Sequence, residues 1–176
     1  MKPSPRTISR HSAPAGLSRG DTTTFLLERF LPYRLSVLTN LMSRAFAKSY
    51  GRRFGLTIPE WRAMAVLGRF APLSANEICQ RTAMDKVRVS RAVTRLKKAS
   101  LVERSTDRSD RRRSALRLSP AGKRIHADIV PLARAIEARF LAGLTRREIA
   151  ALDRLVAKLM TRVTAMEVEN DPAGQT

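Results

Sequence analysis

The side chains best suited to chemistry are arginines and lysines gathered between residues 81 and 124. That segment holds 15 Lys/Arg and 4 Asp/Glu, a net charge of +11 out of +19 for the 176-residue chain, whereas residues 125–176 hold seven of each. A guanidinium can bind a phosphate, or the O6 and N7 atoms of guanine, through two parallel hydrogen bonds. Because solubility charge would be spread along the chain, this concentration predicts a surface that binds a polyanion.

Many of these cations belong to a predicted helix that begins after Asp85, a suitable N-cap. Val89, Val93 and Leu96 share one face of that helix, with Ala92 beside them. The opposite face is polar and comprises Lys86, Val87, Arg88, Ser90, Arg91, Thr94, Arg95 and Lys98. A helix in the major groove of DNA needs one face to pack on its own domain and another to contact bases and phosphates. We expect Arg88, Ser90 and Arg91, in the N-terminal half, to contact bases. Arg95, Lys97 and Lys98, further along, are better placed for phosphates.

The preceding "SANEICQRT" predicts a short helix, opened by a capping box of Ser74 and Glu77. The two helices, joined by "RTAM", form a predicted helix-turn-helix. Ser74 and Asn76 lie at the start of the first helix and are expected to donate to the DNA backbone.

The stretch "STDRSDRRRSALRLSP" at residues 105–120 is either a disordered Arg/Ser tract or a folded loop. The short β-prone segments "LVERS" and "SALRLS" flank its basic part, and Ser119-Pro120 is a good helix start. These flanks favour a two-stranded hairpin, the wing of a winged helix-turn-helix. Its expected DNA-binding residues are Arg108, Asp110, Arg111, Arg112 and Arg113.

Further helices must position this unit. Apolar residues three and four apart follow Leu31 and recur through Phe46, and Thr57 with Glu60 forms a second capping box. Two helices follow the hairpin, the last opened by Thr145. The predicted order is four helices, a hairpin and two helices, so the fold class is mainly α: a winged helix-turn-helix with a two-stranded β wing and long N- and C-terminal dimerisation helices.

Composition narrows the class of protein. Cys79 is the single cysteine, which excludes an intramolecular disulfide and a thiolate metal cluster within the chain. His11 and His126 are too few for a metal site, and we expect His126 on the surface. No apolar run is long enough for a membrane span, and the N-terminus lacks the apolar region of a secretory signal. These features predict a cytoplasmic, nucleoid-associated protein. The sequence shows no nucleophile–base pair and no Gly-rich phosphate loop, so we expect no enzymatic activity, cofactor or metal.

The segment from "LTIPEW" to "LRLSPAGK" resembles the multiple-antibiotic-resistance regulator (MarR) family of bacterial transcription factors. The matching motifs are "LSANEI", "MDKVRVSRAV", "LVER" and the "LRLSPAG" that closes the wing. The resemblance extends over residues 22–168 and leaves a disordered basic arm at 1–21 and a flexible tail at 169–176. It implies a winged helix-turn-helix at 57–119 and dimerisation helices at 22–54 and 120–168.

The resemblance also implies a homodimer on a pseudo-palindromic double-stranded operator, acting as a repressor that a small aromatic or anionic ligand releases. An aromatic acyl-coenzyme A thioester would suit the surplus of arginines. In the family an Asp of the wing orients an Arg that enters the minor groove. Asp107, Asp110 and Arg112 occupy the family positions, but Ser109 replaces the first arginine, so Arg112 is the expected insert.

Tyr33 and Trp61 are the aromatic residues expected beside a ligand, with Arg34 and Arg44 available to neutralise an anion. The alternative interpretation is that Trp61 packs in the core and that the arginines belong to a solvated face. Cys79 suggests oxidant sensing. Its place in the short helix "SANEICQRT", on the side of Ala75 and Ile78, instead favours a buried, inert residue.

A function of another class is also compatible with the charge. An architectural or RNA-associated protein would bind nucleic acid non-specifically, with a steep salt dependence and little sequence preference.

Overall fold

The computed structural model describes residues 25–105 and 115–170 and confirms the predicted order of elements. A 3₁₀ turn at Leu27–Arg29 precedes the first helix. The six helices are α1 (Leu31–Phe54), α2 (Ile58–Phe70), α3 (Ala75–Thr82), α4 (Lys86–Lys98), α5 (Pro120–Leu141) and α6 (Arg146–Asn170). Strands β1 (Val102–Ser105) and β2 (Ala115–Leu118) lie between α4 and α5. The mainly-α winged helix-turn-helix fold is therefore confirmed.

Side-chain caps fix where the helices begin. The Ser74 hydroxyl accepts a hydrogen bond from the Glu77 amide at 3.2 Å, while the Ser74 amide donates to the Glu77 carboxylate at 2.7 Å. The Asp85 carboxylate accepts from the Arg88 amide at 2.7 Å, and Ser119 caps α5 by accepting from the Gly122 amide at 3.0 Å. Each cap satisfies amides that have no partner inside the helix and contributes about 1 kcal/mol.

The core lies in the winged helix-turn-helix, where α2, α3 and α4 pack with the hairpin. Its fully buried side chains include Met64 of α2, Ile78 of α3 and Val89 of α4. Strands β1 and β2 are antiparallel, with Val102 opposite Leu118 and Ser105 opposite Ala115. Buried residues alternate with exposed ones along β2, as expected for a sheet with one solvated face.

The chain forms two compact units, one that ends at Thr39 and one that begins at Asn40. The boundary between them therefore lies inside α1. The first unit exposes much of its apolar surface, including Phe25, Phe30 and Leu35. Phe25 and Phe30 meet edge-to-face, with their ring centroids 5.2 Å apart. The second unit holds the core. The predicted arm at 1–21 lies outside the described residues, and α6 continues past residue 168 to Asn170.

The connection after α4 ties α5 to the winged unit. The Leu101 amide donates to the Leu96 carbonyl at 2.9 Å, and the Leu101 carbonyl accepts from the Ser119 amide at 3.0 Å. The Ser119 hydroxyl also donates to the Ser100 carbonyl at 2.7 Å. Gly122 lies so close to this segment that an added Cβ would overlap the Leu101 carbonyl oxygen. The glycine therefore allows the first turn of α5 to lie directly on the backbone after α4.

We expect Gly122→Ala to lower the free energy of unfolding by about 3 kcal/mol, because the obstructing atom is backbone and cannot turn away as a side chain would. Gly143→Ala is the matched control, because a Cβ there meets no atom within 4 Å. That variant should be neutral or more stable by about 0.5 kcal/mol, since alanine restricts the unfolded chain. Urea unfolding followed by circular dichroism measures both; equal midpoints would show that the close approach at Gly122 is unimportant.

Candidate DNA-binding surface

The turn between α3 and α4 fixes the angle at which α4 is presented. Thr82 ends α3 with its hydroxyl donating to the Ile78 carbonyl at 2.6 Å, and Ala83 adopts a left-handed conformation with φ of 51°. Met84 is buried beneath the turn, and Asp85 then caps α4. The turn is therefore anchored from both helices and by an apolar side chain.

Helix α4 has two distinct faces. Val89, Ala92, Val93 and Leu96 are buried, whereas every α4 residue predicted to contact DNA is exposed. Val87 is 59% exposed, so the one apolar member of that set also faces solvent. The structure thus brings together on one surface the residues that sequence reasoning assigned to the major groove.

The charge on α4 opposes its own macrodipole at one end and complements it at the other. The first turn contains cations and no acidic residue, next to the positive end of the helix dipole. Asp85 offsets this charge, because its carboxylate lies 3.2 Å from the Arg88 Nε as well as capping the helix. Both side chains are more than half exposed, so the pair adds little stability, although it orients Arg88. At the other end Arg95, Lys97 and Lys98 face the negative pole.

A buried carboxylate lies behind the C-terminal half of α4. Glu60 of α2 is 3% exposed, and its Oε1 lies 2.8 Å from the Arg95 Nε. Its Oε2 accepts a hydrogen bond from the Thr57 amide at 2.7 Å, which is the predicted capping interaction. Sequence reasoning found that local role but missed the ion pair, because 35 positions separate the partners and no local pattern signals the contact.

The α3 candidates lie at the edge of this surface. Ser74 is half-buried with its hydroxyl engaged in the α3 cap, while Asn76 is exposed in the first turn. The five wing candidates, Arg108, Asp110, Arg111, Arg112 and Arg113, lie outside the described residues. The strands that lead to the wing are described, and the ion pair of Arg117 Nε with Glu103 Oε1, at 2.8 Å, joins their exposed face.

Trp61, a candidate ligand-binding residue, lies half-buried in an aromatic cluster. Its ring centroid is 5.8 Å from those of Phe46 and Tyr50, and 5.7 Å from that of His126. Burial raises the pKa of Tyr50 to about 12; the nearby Arg62 lowers this pKa and Glu60 raises it. Arg44 is exposed on α1 in the same unit. Tyr33 and Arg34, also candidates, are exposed on the part of α1 that belongs to the first unit.

His126 was expected on the surface, and that expectation is wrong. Its ring is half-buried and stacked on Trp61 with an interplanar angle of 23°. Gly68 provides the space, since a Cβ there would lie 2.7 Å from the His126 Cε1. Burial lowers the pKa of His126, so the imidazole is mostly neutral at pH 7.

His126 also borders a cleft of about 450 Å³ between the end of α2, β2 and the start of α5. Its lining combines cations with apolar residues and includes no carboxylate: Leu67, Gly68, Arg69, Ala71, Pro72, Arg117, Leu118, Lys123 and His126. The side chains of Arg69, Arg117 and Lys123 are exposed. The cleft is therefore chemically suited to a small anion with an apolar body.

Other kinds of site receive no support from the described residues. Within 25–105 and 115–170, no group of three His, Cys, Asp or Glu side chains could hold a metal ion. No helix in that part of the chain combines the length and apolarity needed to cross a bilayer. Cys79 is half-buried and packs against the core, in keeping with its expected role as a small hydrophobic residue.

Comparison with known proteins finds transcriptional regulators. A family model described as the MarR family matches residues 54–113. The HTH-type transcriptional repressor NicR of Pseudomonas putida is 30% identical over 105 residues, which are 60% of this chain and 66% of NicR.

Two solved structures extend the likeness beyond the winged unit. A probable transcriptional regulator from Pseudomonas aeruginosa is 34% identical with a TM-score of 0.65, and the match covers 76% of this chain and 99% of that one. A MarR/EmrR family transcriptional regulator from Acinetobacter is 25% identical with a TM-score of 0.74, covering 80% and 99%. These relatives are regulators rather than enzymes. With its winged helix-turn-helix and its match to the family model, the chain belongs to the MarR family of transcriptional regulators.

Proposed function

We propose that the protein is a homodimeric repressor that reads a pseudo-palindromic operator through α4 and is released by a small anionic, aromatic effector. The DNA-binding part of this proposal is supported by the two faces of α4. The apolar stripe of the helix is buried, whereas its exposed residues include six cations and no acidic residue. The name of the Pseudomonas putida relative, a repressor, supports the sign of regulation.

The dimensions of α4 suit the major groove. Thirteen residues at 1.5 Å per residue give a helix about 20 Å long, which can follow the groove with its N-terminal half deepest. In this arrangement Arg88, Ser90 and Arg91 contact base edges, whereas Arg95 and Lys98 contact phosphates. Ser74 and Asn76 bind the backbone from the start of α3, and Arg112, oriented by Asp110, enters the flanking minor groove.

The exposed apolar residues of α6 support the homodimer. None of the side chains described in α6 is buried, yet its apolar residues recur three and four apart along one stripe: Leu152, Val156, Leu159, Val163 and Met166. Each of them is at least 42% exposed. A stripe of this length on a soluble helix indicates a partner surface, and spacing of this kind fits a second helix.

The cationic cleft supports an anionic effector. Arg69, Arg117 and Lys123 provide positive charge, while Leu67 and Leu118 provide apolar surface. The cleft joins α2, β2 and α5, so a ligand in it would contact the base of the wing as well as the helix that leads away from the winged unit. Tyr33, Arg34, Arg44 and Trp61 remain predicted effector contacts.

Selection of bound genomic fragments tests the DNA-binding proposal. The protein should enrich discrete sites and bind them about 10³-fold or more tightly than an unrelated duplex. Enrichment without sequence preference would instead identify the non-specific architectural or RNA-associated protein. The genes beside the selected sites would also indicate the pathway of the effector.

Arg91→Ala should weaken binding to the selected operator by about 1–3 kcal/mol per half-site, because it removes a bidentate contact to guanine, and should affect an unrelated duplex much less. Lys98→Ala is the control, since a phosphate contact contributes to both duplexes equally. Fluorescence anisotropy at a fixed salt concentration measures the affinity of the wild type and of each variant for both duplexes. Equal losses for Arg91→Ala on the two duplexes would refute its role in base recognition.

Leu159→Glu should convert the dimer to a monomer, because it buries an unpaired charge at the centre of the α6 stripe. Lys158→Glu, on the adjacent exposed position, should remain dimeric. Light scattering after size-exclusion chromatography gives the masses. A dimeric Leu159→Glu protein, or a monomeric wild type, contradicts the α6 interface.

A thermal-shift comparison tests the effector class. Benzoate or benzoyl-coenzyme A should raise the melting temperature, since a ligand at 100 times its Kd stabilises the native state by about 2.7 kcal/mol, whereas uncharged benzamide should not. Arg117→Ala with Lys123→Ala should remove the response if the cleft is the site. A response that survives this double substitution but is absent in Arg44→Ala would place the ligand beside Arg44 instead.

A further inference from the structure

We propose that Glu60 of α2 positions the Arg95 guanidinium for a DNA phosphate, and so determines DNA affinity from outside the helix-turn-helix. The inference rests on the proposed function of α4 as the DNA-binding helix. It assigns a role to a residue that bears the wrong charge to bind DNA itself and that is buried under the surface.

The carboxylate is held from two sides. Its side chain is 4% exposed, with Oε2 accepting from the Thr57 amide at 2.7 Å and Oε1 lying 2.8 Å from the Arg95 Nε. The Thr57 amide belongs to the backbone at the start of α2, so the acceptor cannot follow the arginine if it moves. The ion pair therefore fixes Arg95 with respect to α2 as well as α4.

The contact with Glu60 is made at Nε, on the inner side of the guanidinium. The Arg95 side chain is nevertheless 65% exposed, so the rest of the guanidinium, with its Nη1 and Nη2 donors, can still reach a phosphate. A free arginine must lose rotamer freedom when it binds, at a cost of about threefold to tenfold in affinity for each side chain ordered. Glu60 removes much of that cost before DNA arrives.

General electrostatics predicts the opposite sign for the same substitution. Removal of any acidic charge near the DNA should strengthen binding. Glu60→Gln removes such a charge, yet the positioning role predicts weaker binding, because a glutamine cannot accept from Thr57 and Arg95 with two carboxylate oxygens. Whether Glu60→Gln weakens or strengthens DNA binding therefore distinguishes a positioning role of Glu60 from a general effect of its negative charge.

The chain supplies a matched control in Glu103. Its Oε1 also lies 2.8 Å from an arginine Nε, that of Arg117, but the carboxylate is 41% exposed on the outer face of the hairpin. A solvated pair of this kind restricts its arginine little. Glu103→Gln should therefore leave DNA affinity unchanged or slightly raise it.

The test uses the full chain, a 40-base-pair mixed-sequence duplex and the selected operator, with anisotropy titrations across a range of KCl concentrations. Glu60→Gln should bind both about tenfold more weakly, with the salt slope of the wild type, because Arg95 keeps its charge. Arg95→Ala should reduce the slope by about 0.9 for each phosphate that the arginine neutralises in the wild type. Adding Glu60→Gln to Arg95→Ala should weaken binding no further, since the two side chains act through one phosphate.

Arg95→Lys is a second test variant, which keeps a positive charge beside the buried Glu60 carboxylate. One ammonium group cannot replace the fork that reaches Glu60 and a phosphate together, so binding should weaken although the net charge is unchanged. Melting curves by circular dichroism establish that each variant is folded at the assay temperature.

The proposal is overturned if Glu60→Gln and Arg95→Lys bind as tightly as the wild type. It also fails if Glu60→Gln weakens binding equally in the Arg95→Ala background, because that result assigns Glu60 a purely structural role. A wild type that binds neither duplex would overturn the proposed function, which is a different and recognisable outcome.

Discussion

The burial of the apolar stripe of α4 is the interaction on which the candidate DNA-binding surface depends. Val89 is fully buried, and Leu96 is 1% exposed against α2, α3 and the hairpin. Burial of such a side chain stabilises the fold by about 1.5–3 kcal/mol, whereas a like-charge pair on a helix surface costs about 0.2–0.5 kcal/mol. The stripe therefore outweighs the mutual repulsion of the α4 cations. Because it is confined to one side, the same packing also directs those cations outward.

Contacts at both ends of α4 connect it to its neighbours in the winged unit. Asp85 closes its beginning, and the hydrogen bonds through Leu101 and Ser119 connect its end to the first turn of α5. Gly122 allows the backbone of α5 to lie directly against the backbone at Leu101, because no side chain separates them. The start of α5 and the end of α4 are therefore joined backbone to backbone. If the proposed effector binds in the cleft beside Lys123, this continuity connects its site to the candidate DNA-binding surface.

Local features of this structure could be predicted from sequence, and contacts between distant segments could not. Asp85, Ser74 and Ser119 cap helices where their types predicted, because a cap depends on residues three positions away. The buried face of α4 could be predicted for the same reason, because its apolar residues recur three and four positions apart. The stack of His126 on Trp61 depends instead on a missing Cβ at Gly68, 58 positions before the histidine. The hydrogen bonds between Leu73 and Leu116, at 3.1 and 2.7 Å, likewise join segments that no periodicity relates.

Net charge alone gives an incomplete account of this surface. Arg88 and Arg95 each lie beside a carboxylate, so part of the positive charge of α4 is directed by acids within or beneath the same surface. For a protein that binds polyanions by charge alone, these acids would only weaken binding. For a protein that reads a defined site, they reduce the number of conformations in which an arginine meets its acceptor. Glu60 fits the second case best, because burial makes its carboxylate ineffective as a solubilising charge and effective as a fixed support. The acid beneath α4 therefore favours recognition by oriented contacts over attraction by total charge.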